Sequence, residues 1–236
     1  MEEPKFGRKS WSDARRKHPR FRTQPLHDVA LAVKGPYLRI SNISMGGLGI
    51  VAEGVEDPGK EFSAKLAIGK EKFDVNLIQI FRNEDVIGCQ FKEPSEKLQK
   101  SIEKYFETEI LASHLNRIDS RPALNNGQDK VIFFHGQNNC ELLINERNGQ
   151  ICYFSVVVLG NCIEVDPKGT LVAGERIVDK NVPSKNGVFL FKPSEKPDQH
   201  ILTLAIRFIL GIEGLTPEYR QSLVQIINDN SKQLGA

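Results

Sequence analysis

The sequence predicts a mainly β protein: two small antiparallel β-barrel domains in tandem, each closed by a C-terminal α-helix. Three observations carry that reading. Short apolar or alternating runs recur along the chain, each ended by Gly, Pro, Asn or Asp, as antiparallel strands are. Each half ends in a stretch with helical spacing, and a polar segment lies between the halves. At about 100 to 200 residues per domain, 236 residues are enough for two such units, each with a core of its own.

In the first half the strand runs lie near 20–34, 37–42, 47–52, 61–68, 71–81 and 85–92. A helix follows, with Ser95 after Pro94 as its N-cap and Leu98, Ile102, Tyr105 and Phe106 at i, i+4, i+7 and i+8 on one face. Domain one is thus residues 1–113, a basic arm plus barrel and helix, and residues 114–129, polar with Pro122 and Asn126-Gly127, form a linker. The second domain, 130–236, has strand runs near 130–135, 140–147, 150–159, 161–166, 170–178, 187–192 and 200–209. Asn148-Gly149 marks a hairpin, because both residues tolerate the positive φ of a type I′ turn. Thr216-Pro217 opens a last helix to about Lys232, with Tyr219, Leu223, Ile226 and Ile227 on one face. Aligning Phe91 with Phe208 superposes IGCQF on LAIRF, each followed by a loop and an amphipathic helix, so the second half reads as a copy of the first.

Composition narrows the function classes. Hydrophobic residues at 39% and charged residues at 26% exclude a wholly disordered, collagen-like or disulfide-scaffold chain. The most apolar stretch, Ile201–Ile212, is too short to span a membrane and is broken by Thr203 and Arg207. The start, MEEPKFGRK, has no apolar signal segment, so the cytoplasm is the expected location. Cys89, Cys140, Cys152 and Cys162 form no CxxC pair and read as buried free thiols. No GxSxG, HExxH or Walker loop occurs and the five histidines lack metal-ligand spacing, so no enzyme, cofactor or metal is expected.

Charge is unevenly spread. Residues 1–22 hold eight basic residues against three acidic ones, a net +5, which leaves −3 over the rest of a chain of net +2. That arm suits an anionic partner. It contains Arg15-Arg16-Lys17-His18-Pro19-Arg20-Phe21, and a strand later comes Asn42-Ile43-Ser44-Met45-Gly46-Gly47. Together these resemble the PilZ domain, whose signature is RxxxR followed by (D/N)xSxxG: Arg16 and Arg20 fill the first element, and Asn42, Ser44 and Gly47 the second. VIGCQF at 86–91 and the helix after it resemble the family's closing strand and terminal helix, so the likeness covers about residues 12–110.

The resemblance implies a bacterial receptor for the second messenger cyclic di-GMP. Its chemistry suits the residues. Arginine can bind phosphate bidentately, bind guanine O6 and N7 and stack on a purine, which lysine cannot do. The expected ligand residues are Arg15, Arg16, Arg20, Asn42, Ser44, Gly46 and Gly47, the amide and hydroxyl reading the guanine edge and the glycines allowing positive φ and close backbone approach. Arg22 and Arg39 on flanking strands are left outside this set. By the same resemblance, Arg15 before the motif favours a stacked pair of ligands. The second half has neither element: around 137–141 it reads QNNCE, so it is expected to be a degenerate PilZ-like domain used for protein contact or dimerisation. Two alternatives stay open, a PilZ-like adaptor that binds no nucleotide and a nucleic-acid binder using the basic arm, the second disfavoured by the acidic remainder.

Overall fold

Alternating apolar residues fold the first half into one antiparallel sheet and the second half into another. The computed structural model describes residues 19–23, 26–33, 35, 37–118, 129–176, 191–194 and 198–234. Two compact units divide the chain, Met1–Phe106 and Glu107–Ala236.

In the first unit the strands are β1 (Phe21–Arg22), β2 (Val29–Ala32), β3 (Tyr37–Leu38), β4 (Ile40–Ser44), β5 (Gly47–Val51), β6 (Glu61–Ile68), β7 (Glu71–Arg82) and β8 (Val86–Phe91), followed by helix α1 (Glu96–Tyr105). Their order across the sheet is β1-β4-β5-β8-β7-β6-β2-β3. The expected runs are all here, with 20–34 and 37–42 each resolved into two shorter strands. Register slips at Ile40/Asn42 and Gln79/Phe81 mark bulges, which bend and twist the strands that carry them. The sheet curls into a half-barrel, bringing β2 towards β4. Its concave face buries Leu31, Ile43, Leu48, Ile50, Leu66 and Ile87. Helix α1 adds Leu98 and Ile102 to that core, and the Ser95 hydroxyl caps it by accepting the Leu98 N–H at 3.2 Å, as the sequence suggests.

The second unit begins with α2 (Glu107–Ser113), which the sequence reading had placed in the first domain, and β9 (Asn116–Ile118), which lies within the expected linker. Then follow β10 (Asp129–His135), β11 (Glu141–Arg147), β12 (Gln150–Val158), β13 (Asn161–Val165), β14 (Leu171–Arg176), β15 (Phe191–Pro193), α3 (Gln199–Gly211) and α4 (Pro217–Leu234). Each strand pairs with its sequence neighbours, giving an open seven-stranded meander, so neither the half-barrel of the first unit nor this sheet is the closed barrel that the sequence suggests. Asn148 and Gly149 adopt φ of 52° and 78°, the two positive values that the β11–β12 turn requires.

One element differs in kind. Residues 199–211 form helix α3, not a strand, so the alignment of Phe91 with Phe208 lays a strand on a helix and the proposed duplication fails. The segment is rich in β-branched residues and buried on most of its circumference, so it imitates a core strand. Its polar Gln199, Thr203 and Arg207 recur every four residues, the helical period, and the Asp198 carboxylate accepts the His200 N–H at 2.8 Å as an N-cap. Arg207 forms a two-pronged bond with Glu109 of α2, Nε to Oε1 at 2.6 Å and Nη2 to Oε2 at 2.7 Å. Leu223 and Ile227 of α4 are fully buried beside it, on the face the sequence marks.

Candidate functional site

Strand register gathers the expected residues on the convex face of the first sheet. Phe21 pairs with Ile43, and Ile43 with Leu48, all pointing into the core, so the residues alternating with them point outward. One outward row runs Arg22, Asn42, Gly49, Gly88, Phe81 across β1, β4, β5, β8 and β7. The next row runs Ser44, Gly47, Gln90, Ile78 across β4, β5, β8 and β7. Arg20, exposed, precedes Phe21 and so shares the outward side with Arg22. Thus Arg20, Asn42, Ser44, Gly46 and Gly47 come together, while Arg15 and Arg16 lie outside the described residues.

Glycine shapes this surface. A Cβ on Gly47 would stand 2.2 Å from the Cys89 carbonyl oxygen, so β5 and β8 approach as they do only without a side chain there. Neither Gly46 nor Gly47 has positive φ, which corrects the sequence expectation; the requirement at Gly47 is close approach. At Gly49 a Cβ would meet Asn42 Nδ2 at 2.6 Å, and at Gly88 it would meet the Phe81 ring at 2.1 Å. Asn42 and Phe81 therefore lie down over neighbouring glycines from opposite sides, making a low platform with an amide at one edge and an aromatic ring, 43% exposed, at the other.

Hydrogen bonding separates the two polar motif residues. The Ser44 hydroxyl is buried, donates to the Gly47 carbonyl at 3.1 Å and accepts the Gly46 N–H at 3.4 Å, so it braces the Met45-Gly46 turn. Asn42 Nδ2 donates to Ser41 Oγ at 3.0 Å, and Ser41 Oγ donates to the Gly49 carbonyl at 3.1 Å. Asn42 Oδ1 is out of contact with solvent and has no donor among the described residues. A buried acceptor without a donor costs on the order of 1–3 kcal/mol.

Beneath the platform, burial pushes the Cys89 thiol up to about 11, which makes it a packing residue instead of a nucleophile. Beside it on the surface, the Lys92–Glu61 ion pair at 2.9 Å lowers the Glu61 pKa and raises that of Lys92, first through their mutual hydrogen bond. No cluster of His, Cys, Asp and Glu suited to a metal occurs among the described residues. Nor is any described helix long and apolar enough to cross a membrane.

Sequence reading missed Gly49, Gly88, Phe81 and Gln90, and left Arg22 aside. The mid-strand glycines were the available signal, since glycine inside a strand marks close approach. Phe81 was masked by the bulge: alternation from the buried Val75 and Leu77 would put it inside, and the slip between Gln79 and Phe81 turns it outward, next to Ile80, itself 60% exposed.

A crystal structure of an uncharacterized Legionella protein is 17% identical with a TM-score of 0.32, over 37% of this chain and 89% of that one. The Borreliella burgdorferi PlzA protein, solved in complex with c-di-GMP, is 14% identical with a TM-score of 0.30, over 84% of this chain and 95% of that one. No curated protein sequence matches. The family model of the PilZ domain matches residues 14–108, the span that holds both motif elements, the curled sheet and α1, and this part of the chain is a PilZ domain.

Proposed function

We propose that the protein is a cyclic di-GMP receptor without catalytic activity, in which the ligand lies on the convex platform of the PilZ domain and the basic arm closes over it. The carrying observation is the arrangement around Asn42: a buried amide oxygen lacking a donor, Arg22 opposite it on β1, and the Phe81 ring across two glycines. A turn of the Asn42 side chain exposes that oxygen, and a guanine N1–H or 2-amino group then supplies the missing donor, while the face of the base has an aromatic partner. Arg15, Arg16 and Arg20 take the phosphates and the Hoogsteen edge. Ser44 holds the turn that presents Gly46 and Gly47. Neutralising the arm changes the surface offered to the second unit or to a protein partner, the ligand favouring whichever arrangement it binds better. The second unit serves in this reading as a protein-contact surface, with self-association one form of it.

The test is isothermal titration of cyclic di-GMP into the wild-type protein and into Arg16→Ala/Arg20→Ala, with circular dichroism as the fold control. Charge-assisted hydrogen bonds are worth about 1.5–3 kcal/mol each, so loss of two arginines should weaken micromolar binding by at least a hundredfold. Absence of heat and of competition in the wild type would overturn the receptor reading in favour of the adaptor. Displacement of bound cyclic di-GMP by oligonucleotide would favour a nucleic-acid site.

A further inference from the structure

Strand register places Arg22, a residue outside both motif elements, directly beside Asn42. It is the outward residue of β1, whose other member, Phe21, turns into the core and stacks on the Phe106 ring with centroids 5.1 Å apart. The chain just beyond is held to β4 by the Thr23 N–H, which donates to the Ser41 carbonyl at 3.1 Å, and by the Thr23 hydroxyl, which donates to the Ile40 carbonyl. That backbone bond flanks the Arg22–Asn42 pair, so the pair is of the non-hydrogen-bonded kind, with Cα atoms about 4.5 Å apart and side chains at their closest. A slip of one residue would pull Phe21 out of its stack, so Arg22 stays next to Asn42. Its side chain is exposed and has no hydrogen bond or ion pair among the described residues.

The polarity of Asn42 follows from its other neighbour. The register slip between Ile40 and Asn42 is a bulge that turns Ser41 and Asn42 to the same side, over Gly49, where a Cβ would meet Ser41 Oγ at 2.7 Å and Asn42 Nδ2 at 2.6 Å. Ser41 has one hydroxyl proton and donates it to the Gly49 carbonyl, so towards Asn42 it can only accept. The amide nitrogen therefore lies at Ser41, and the oxygen is the pole without a donor. Beside that acceptor stands Arg22, whose guanidinium donates and never accepts. A donor next to an acceptor complements the Watson–Crick edge of guanine, where O6 lies next to N1–H. Adenine carries the reverse order there, an amino group next to a bare N1.

We infer that Arg22 is a specificity-determining residue of the nucleotide site, donating to guanine O6 while Asn42 accepts from N1–H. The inference rests on the cyclic di-GMP reading and adds the residue that selects the base. O6 has two lone pairs, so Arg22 takes the one beside N1 and leaves the one beside N7 to the arginines of the arm. An adenine in the same pose would set its amino group against the guanidinium, donor against donor, and its N1 against the Asn42 oxygen, acceptor against acceptor. Cyclic di-GMP and cyclic di-AMP share phosphates and sugars, so only contacts to the base edge tell them apart.

The test is calorimetric titration of the full chain with cyclic di-GMP and with cyclic di-AMP, in the wild type, Arg22→Met and Arg22→Lys, with circular dichroism as the fold control. The wild type should favour cyclic di-GMP by at least about a hundredfold, since the wrong base leaves polar groups unpaired. Arg22→Met keeps an apolar stem without donors. It should lower that preference by about tenfold to a hundredfold, the range for one base-reading contact, through weaker cyclic di-GMP binding with cyclic di-AMP unchanged or tighter. Arg22→Lys retains a donor that can reach O6 and should hold the preference within about fivefold of the wild type. Equal weakening of both ligands in Arg22→Met would make Arg22 a phosphate contact and overturn the inference, as would an unchanged preference; either result leaves the receptor standing. No binding of cyclic di-GMP to the wild type removes the receptor reading itself.

Discussion

The two sheets back onto apolar cores in the same way but spend glycine differently. In the first sheet Gly47, Gly49 and Gly88 sit together in central strands on the convex face. Their missing side chains let two strands close up and let Asn42 and Phe81 lie flat. In the second sheet the described strands hold one glycine, Gly174, in β14 where it faces the three-residue edge strand β15. Side chains such as Tyr153, Ser155 and Glu164 fill the corresponding central positions, with Tyr153 donating to Glu164 at 2.9 Å. An antiparallel sheet offers a low, flat platform where its middle is emptied of Cβ atoms, and stays covered by side chains where it is not.

Substitutions can break or sharpen this contrast. The scaffold unit should show the largest stability effect: Glu109→Ala leaves Arg207, whose side chain like that of Glu109 is 11% exposed, without its carboxylate. Breaking such a buried pair costs about 3–5 kcal/mol, measured as a lower midpoint in denaturant for the second unit's transition. Gly47→Ala comes next. Its Cβ meets backbone, which cannot swing away, so the first unit should lose about 1–3 kcal/mol and nucleotide binding with it. Gly174→Ala makes an equally short contact, 2.0 Å to the Lys192 oxygen, but releases only an edge strand; a loss as large as that at Gly47 would refute the contrast. Phe81→Ala should leave the melting transition near the wild-type value while weakening cyclic di-GMP by about tenfold to a hundredfold, the range for loss of one stacked aromatic. Smallest is the response of Cys89. With its thiol held near 11 by burial, it should stay unalkylated by iodoacetamide at pH 8 in the native protein and react on unfolding, as read by peptide mass spectrometry.

Much of this was legible in the sequence because it depends on local chemistry. Ser95, Asn148-Gly149 and Thr216-Pro217 placed helix starts and a hairpin through capping and positive φ, and strand alternation located nearly every strand. Asn42, Ser44 and Gly47 could be found from their spacing. What stayed hidden depends on tertiary environment. Helix α3 is apolar on most sides because it packs on sheet and helix at once, which erases the amphipathic signal. Phe81 needs a bulge to reach the convex face, and Gly88 matters only because Phe81 lies over it. The stack of Phe106 on Phe21 likewise could not be read from its spacing on α1, since Phe21 is far away in the chain.

Strand order also governs how each half acquires its structure. In the meander every pairing joins neighbours, so each hairpin can form as soon as its two strands exist. The first sheet must instead bring Phe21 to Ile43, Val29 to Ile68 and Ile50 to Ile87, and the last of these waits for β8. Closing such loops costs entropy before any contact repays it. The half that leaves the ribosome first therefore has the slower folding problem, and its convex platform, floored by β5 against β8, is among the last parts of it to exist.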